Sequence, residues 1–506
     1  MVGPSSSHTA GMARIGMMAN RIINENPREI HLELSPKLKT IYAGHKSDAA
    51  LFAGTVGMHE DDPKIKDAVR IVNEMGIKTS VDFLPEGSYP ENTAKITVIT
   101  DDKKSYSVTG TSIGGGSIII SAVDDAPLNI SPAALQIIVW SKKALCEEIL
   151  RDLCGKFGKY ELSFGLSSKG EYVYAVSFKN QITSEQAEKL NKCEDIIKFS
   201  EVRPVLSYGC TRENTPECTS LKAACDTAKA EGISLYEFAL RYEMERSGFD
   251  KENITEKMHQ YWLQMKKSVE EGKNENDLIY GLTGGRDAKK LRNAIKNGRT
   301  ISGGLIPKAV ADAIGVMEYN ASMGCIVAAP TAGSSGIVPG CMTVLAKEYD
   351  IPDERIEKAL FISAIIGVIM DGRGVSFSGS VGGCQAEIGV SAAIAAAGIA
   401  SLFTDDSEVV AHAMALCLKN LLGLVCDPIA GPIEVPCIKR NAVGVANAFI
   451  SADMALAGIR SFIPPDEVID ALLDVERRLP TELRSGTVGG LACTCTAKCL
   501  RKKLGQ

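Results

Sequence analysis

Residues 135–204 decide how the fold is read: LQIIVW (135–140), ALCEEILRDLCGKF (144–157), YELSFGL (160–166), YVYAVSF (172–178), SEQAEKLNK (184–192) and IIKFSEVRP (196–204). Runs rich in β-branched and aromatic residues read as strands, and runs with apolar residues three or four apart read as helices. The order is therefore βαββαβ, the split arrangement of a ferredoxin-like α+β domain. Such a unit is small and carries its own core.

On its N-terminal side the pattern changes. From about residue 30 to 122, short β-branched segments (His31–Leu34, Thr79–Phe83, Lys95–Thr100, Tyr106–Thr109, Ser117–Ile120) alternate with helical patterns such as Pro63–Met75, which reads as α/β. A polar break, Asp124-Asp125-Ala126-Pro127, follows. On the C-terminal side, after a loop at Ser207–Pro216, the periodicity is helical over Leu221–Glu231, Ser234–Arg246, Thr255–Glu271, Glu354–Met370, Ala386–Phe403, Glu408–Leu422 and Asn441–Arg460. The expected architecture is multidomain: an α/β N-terminal domain, a ferredoxin-like α+β middle domain and a mainly α-helical C-terminal domain.

Composition narrows the function. The 506 residues are 45% hydrophobic and 23% charged, the balance of a globular protein long enough for several cores. A formal charge of -6 without a dense Lys/Arg run argues against nucleic acid and for a small-molecule partner. No basic region followed by an apolar core opens the chain, so a cytoplasmic location is expected. The apolar stretch Ile388–Phe403 is shorter than the roughly 20 residues of a membrane span, and a buried helix is expected there instead. Fifteen cysteines in such a chain point to metal ligation or catalysis for a subset, rather than to a disulfide framework.

Several motifs carry chemistry. Gly3-Pro4-Ser5-Ser6-Ser7-His8-Thr9-Ala10-Gly11 runs into a helical pattern, and its hydroxyls and free N–H groups suit an anion such as a carboxylate; an ordinary N-cap is the plainer alternative. Asn320-Ala321-Ser322-Met323-Gly324, leading to Ala329-Pro330-Thr331-Ala332-Gly333-Ser334-Ser335-Gly336, is a second such element. His45, in Gly44-His45-Lys46-Ser47-Asp48, stands at a turn before a helix as a general base or a solvated cap. Gly114-Gly115-Gly116 is either a ligand-approaching turn or a plain hairpin.

The cysteines divide by context. Cys146, Cys154, Cys193, Cys225 and Cys417 fall in helical patterns, where a cysteine is ordinarily a small buried hydrophobe. Cys384 lies in Gly382-Gly383-Cys384-Gln385-Ala386-Glu387, and Cys426 and Cys437 bracket a stretch rich in glycine and proline. Loop cysteines of this kind suit iron–sulfur ligation, because the backbone can wrap a cluster and offer N–H groups to its sulfides. Cys384 to Cys426 spans 42 residues and Cys426 to Cys437 spans 11, which matches neither zinc ribbons nor bacterial ferredoxins. Three ligands without an obvious fourth suggest a cluster with one iron left open as a Lewis acid.

Taken together in order, GPSSSHTAG (3–11), GHKSD (44–48), GGG (114–116), APTAGSSGIVP (329–339), GCQAEIG (383–389), CDPIAGPIEVPCIKRN (426–441) and GGLA (489–492) closely resemble the iron–sulfur-dependent L-serine dehydratases, also called L-serine ammonia-lyases. The resemblance runs almost end to end. It implies a β-type domain at residues 1–126, an ACT-like domain at 133–206 and an α-type domain at 215–506, with one active site formed by the β-type and α-type domains. It implies Cys384, Cys426 and Cys437 as ligands of a 4Fe-4S cluster with one open iron. Serine would lose water through aminoacrylate to give pyruvate and ammonia, with His45 as base or base partner and His8 near the substrate. Ser5, Ser6, Ser7, Thr9, Thr331, Ser334 and Ser335 would contact the amino acid. Some single-chain members end in a cysteine that folds back on the open iron, a role that Cys493, Cys495 or Cys499 could take. The resemblance also implies a homodimer.

Two other readings compete. A related cluster-dependent lyase would act on L-threonine or L-cysteine, and an amino-acid sensor would use the cysteines for structural zinc. No lysine has a pyridoxal-phosphate-anchoring context with a separate glycine-rich phosphate loop, so that cofactor is not expected.

Overall fold

The computed structural model describes residues 1–40, 42, 44–87, 89–145, 162–178, 184–205, 218–429, 433–484 and 489–504. It falls into two compact units, one of Ser7–Cys210 and one of Met1–Ser6 with Thr211–Gln506.

The described residues of the unit Ser7–Cys210 form two sheets. The first has six strands: β1 (Pro27–Leu34), β2 (Lys78–Phe83), β3 (Thr93–Thr100), β4 (Ser105–Gly114), β5 (Ser117–Val123) and β6 (Ala126–Ile130), in the order β2-β1-β3-β4-β5-β6. Only the β1–β2 pair is parallel. Alternation along β1 buries Ile30, Leu32 and Leu34 and turns the intervening residues outward, as the two-residue period of a strand dictates. The polar break expected at Asp124–Pro127 is a two-residue hairpin turn. Asp124 and Asp125 both take positive φ, Val123 pairs with Ala126, and the chain continues as β6. The expected helix over 63–75 starts as a 3-10 turn, Pro63–Asp67, because Asp62 accepts from Lys64 N; the α-helix is Ala68–Glu74.

Helices Gly11–Ile23 and Ser47–Thr55 pack closely, and two glycines permit it. A Cβ on Gly16 would lie 2.4 Å from Leu51 O, and one on Gly54 would lie 2.0 Å from Ala13 O.

The second sheet comprises β7 (Leu135–Ser141), β8 (Leu162–Leu166), β9 (Tyr172–Phe178) and β10 (Ile196–Val202), all antiparallel, in the order β10-β7-β9-β8. Helix Ser184–Lys192 joins β9 to β10. The helix expected over 144–157 lies almost wholly outside the described residues, as do Cys146, Cys154 and the loop 207–216. Asp124 ties the two sheets together: Oδ1 accepts from Ser107 N at 2.7 Å and Oδ2 from Trp140 Nε1 at 2.8 Å.

The other unit is helical. Its described helices include Leu221–Glu231, Leu235–Ser247, Lys251–Glu271, Asp353–Gly372, Ser407–Lys419 and Cys437–Leu456, close to the periods read from sequence. Ser234 and Glu237 form a reciprocal capping box that sets one start, and Gly232 in the left-handed region ends the preceding helix. The apolar stretch is the central helix Ile388–Ser401, buried at every position from Ile388 to Ala400. The window Cys384–Ser401 is apolar enough to cross a membrane by composition, but 89% of it is buried within the protein. Its small residues allow close packing: a Cβ on Gly398 would meet Met342 Cε at 2.5 Å and Ser363 Oγ at 2.6 Å. The loops at the N-terminal end of this helix carry the candidate site.

Candidate metal centre

Cys384 sits in the turn between the short helix Gly379–Gly382 and the central helix. Gly383 precedes it at φ +74°, a conformation that favours glycine. The buried Gln385 side chain fixes this turn, donating to Leu472 O at 3.3 Å and accepting from Gly423 N at 2.8 Å. Gln385 N also donates to Leu424 O, which draws the Leu424–Cys426 segment alongside Cys384. Cys437 is the first residue of helix Cys437–Leu456. One turn on, Asn441 Nδ2 donates to Cys437 O and to Gly333 O, both at 2.9 Å, while its Oδ1 accepts from Gly336 N at 3.2 Å. A single amide therefore fixes the cysteine against the Thr331–Gly336 loop.

These tethers bring the three cysteines together. Cys384 and Cys426 share a hydrogen bond, which is the first cause of the upward shift of the Cys426 thiol; burial and the charges of Cys384, Glu387 and Cys437 add to it. Burial chiefly raises Cys437, followed by the charges of Cys384 and Glu387. Glu387, three residues after Cys384, joins them. The ligand atoms of Cys384, Glu387 and Cys426 all lie within 4.8 Å of one another, the arrangement of a candidate Cys-Glu-Cys metal site. Burial raises the Glu387 carboxyl, while a hydrogen bond from Thr331 and the charge of Arg440 oppose that shift. Cys384 is 3% exposed, whereas Cys426, Cys437 and Glu387 are part-buried.

Around this group lies a second layer. Arg440 Nη1 donates to Cys384 Sγ at 3.3 Å and to Val425 O at 2.7 Å, and Nη2 donates to Asp427 Oδ1 at 2.7 Å. Asp427, 3% exposed, uses its other oxygen to accept from Leu491 N at 2.9 Å.

The two hydroxyl-rich loops meet in the same unit. Asn320 Nδ2 donates to Pro4 O at 3.2 Å and to Ala332 O at 3.1 Å, so one buried amide links the segment bearing Ser5 and Ser6 to the loop of Thr331, Ser334 and Ser335. A Cβ on Gly3 would lie 2.0 Å from Asn320 Oδ1, which only glycine avoids. Thr331 and Ser334 hydroxyls are 3.1 Å apart, and Ser335 Oγ donates to Ala332 O at 2.9 Å. All five hydroxyl residues are buried.

Ser7, His8, Thr9 and His45 belong to the unit Ser7–Cys210, where His8, Thr9 and His45 lie together. Thr9 Oγ1 donates to His45 O at 2.8 Å, and Ser47 Oγ donates to His8 O at 2.7 Å. The two imidazoles lie 4.8 Å apart, centroid to centroid. Burial, reinforced by neighbouring His45, pushes His8 down to about 3; a hydrogen bond with Asn92 opposes this. Cys493, Cys495 and Cys499 are exposed, on the turn Gly490–Cys493 and helix Cys495–Lys503. The helical-pattern cysteines Cys225 and Cys417 are buried core residues.

Glu387, Arg440, Asp427 and Asn320 are absent from the set of site residues drawn from sequence. Glu387 and Arg440 each follow a candidate ligand by three residues, the spacing that returns a side chain to the same face of a helical turn. That spacing was the available signal.

The family model described as serine dehydratase alpha chain matches residues 230–492. A probable L-serine dehydratase alpha chain of Bacillus subtilis (strain 168) is 44% identical over 285 residues, covering 56% of this chain and 94% of the relative. The L-serine dehydratase alpha chain of Peptoniphilus asaccharolyticus is 39% identical over 278 residues, covering 55% and 94%. The L-serine dehydratase of Haemophilus influenzae is 26% identical over 506 residues, covering 97% of this chain and 96% of its own. The chain therefore belongs to the L-serine dehydratase family, in the fused form that carries the alpha-chain region and a further N-terminal region in one polypeptide.

Proposed function

We propose that this chain is an iron–sulfur L-serine ammonia-lyase, releasing pyruvate and ammonia from L-serine. The observation that carries this reading is the grouping of two cysteines and a carboxylate, Cys384, Cys426 and Glu387, with Cys437 near enough for its charge to act on Cys426. Thiols and a carboxylate packed this closely, with one guanidinium beside them, concentrate anionic donors that a polycationic metal group would neutralise. The donor chemistry fits a 4Fe-4S cluster held by Cys384, Cys426 and Cys437. Such a cluster would supply a Lewis-acidic iron without a cysteine ligand, to assist departure of the serine β-hydroxyl.

The chain's own residues supply the rest. Ser5, Ser6, Thr331, Ser334 and Ser335 offer hydroxyls and loop N–H groups to the amino-acid carboxylate, with Asn320 fixing the two loops against each other. Ser7 and Thr9 belong to the same hydroxyl-rich segment. His45 takes the Cα proton as general base or partners that base, and His8, whose ring lies 4.8 Å from His45, stands near the substrate. Loss of that proton and of hydroxide as water leaves 2-aminoacrylate, whose imine tautomer adds water and expels ammonia. The β10-β7-β9-β8 order of the second sheet supports a ferredoxin-like, ACT-like middle domain.

Protein purified without oxygen and given L-serine should release pyruvate and ammonia in equal amounts. Cys384→Ser, Cys426→Ser and Cys437→Ser should each lose iron and turnover together. His45→Ala should lower turnover by about 10²–10⁴-fold with iron content unchanged; unaltered turnover would remove His45 from the mechanism. Turnover of L-threonine or L-cysteine but not L-serine would reassign the substrate. A colourless, zinc-loaded and inactive protein would overturn the proposal in favour of a structural metal site.

A further inference from the structure

We infer that Glu434 is a positioning residue, fixing the loop that carries Cys426 and Cys437 in the register with the substrate loops that the reaction needs. The inference rests on the proposed function above and goes beyond its ligands and substrate contacts. Glu434 stands eight residues after Cys426 and three before Cys437, and it is 2% exposed. Its Oε1 accepts from Tyr280 N at 2.9 Å and from Gly281 N at 3.2 Å, and its Oε2 accepts from Leu282 N at 2.7 Å. Gly281 takes φ +61°, where glycine is favoured, so three successive N–H groups converge on one carboxylate. A buried carboxylate needs such donors, and bonds of this charge-assisted kind are about twice as strong as neutral ones.

The segment that grips Glu434 is itself tied to the substrate side. Ile279 N donates to Ala321 O at 3.2 Å, and Asp287 N donates at 2.7 Å to Oε1 of Glu318, which is 3% exposed. Both acceptors lie on helix Leu305–Ala321, whose Asn320 holds Pro4 O and Ala332 O. One apolar cluster unites Leu278 of this region and Ile433 and Ile438 of the cysteine side with Ile314, Met317 and Ala321 of that helix. Ile429 N donates to Val435 O at 2.9 Å, so the neighbour of Glu434 is bonded back towards Cys426. Glu434 is thus a second buried joint, beside Asn441, between the cysteine loop and the elements that hold Thr331, Ser334 and Ser335.

The test compares wild type with Glu434→Gln, both full-length and purified without oxygen. The amide keeps the size of the side chain but turns an NH2 donor towards backbone N–H groups that need an acceptor. Per cluster, kcat for L-serine should fall by about 10–100-fold while KM stays within about threefold, because the carboxylate contacts survive and their alignment with the cysteine loop is lost. Hydrogen exchange read by mass spectrometry should quicken at residues 279–287 and also at 433–440. An unchanged kcat per cluster, or faster exchange confined to 279–287, makes Glu434 a local tether and overturns the inference. If Glu434→Gln does not fold, wild-type exchange decides: protection of the Tyr280, Gly281 and Leu282 amides equal to that of helix Leu305–Ala321 upholds the joint, and free exchange there overturns it. Wild-type protein without iron and sulfide overturns the proposed function instead, while the exchange measurement still reports on Glu434, so the two failures are distinguishable.

Discussion

Arg440 Nη1 donates to Cys384 Sγ at 3.3 Å, and the same guanidinium grips Asp427 at 2.7 Å. Asp427 in turn holds Leu491 N, so one part-buried ion pair links a candidate ligand to the segment leading into the C-terminal helix. A Cβ on Gly490 would lie 2.4 Å from Asp427 Oδ2, which shows how closely that segment is drawn in. A hydrogen bond to a ligand sulfur orients it and tunes the metal it holds.

Removing Asp427 should therefore act on both stability and metal. Asp427→Ala takes the carboxylate partner from the part-buried Arg440, which keeps only its bonds to Cys384 and Val425, and so lowers stability. The expected result is a lower denaturation midpoint of the apoprotein and a lower iron content after anaerobic purification. Arg440→Lys should restore the charge but not the iron content, because an ammonium lacks the planar fork that reaches Cys384, Val425 and Asp427 together. A fully loaded Arg440→Lys protein would show that charge alone suffices.

Gly379→Ala should empty the site without unfolding the protein. The added methyl would project between Glu387 and Cys426, where a metal group needs room. Circular dichroism should match wild type while iron and sulfide fall several-fold. Normal iron content would mean that the space beside Gly379 is not part of the centre.

His8 gives the unit Ser7–Cys210 a pH-dependent stability. Its folded-state value is about 3 against an ordinary 6.5, so between these limits the unfolded chain binds a proton that the native unit refuses. Stability should fall as pH drops from about 6.5 towards 3, with this contribution fully present above 6.5. In denaturant titrations from pH 7 to pH 4.5, His8→Gln should lose less stability than wild type. Equal slopes would mean that His8 titrates normally in the fold.

Much of this was legible in the sequence because local patterns carry it. The helical periods at Leu221–Glu231 and 234–246 have capping residues at their ends, and those helices start and stop where the caps stand. The second sheet's strands were legible from β-branched runs. Strand β6 was not, because Asp124-Asp125 reads equally as a break or as a hairpin turn, and only pairing with β5 decides. Within the site, the loop cysteines stand out by their glycine and proline neighbours. Asn320 and Asp427 act through partners distant in the chain, such as Pro4 and Leu491, so sequence proximity alone cannot reveal their roles.

The most direct measurement follows visible absorbance and pyruvate release from L-serine in one anaerobic sample as air is admitted. An iron without a cysteine ligand predicts that both decline together, and that iron with sulfide under reducing conditions restores both. Full turnover by a bleached or iron-free protein would contradict the assignment of Cys384, Cys426 and Cys437 as the cluster's ligands in an iron-dependent lyase.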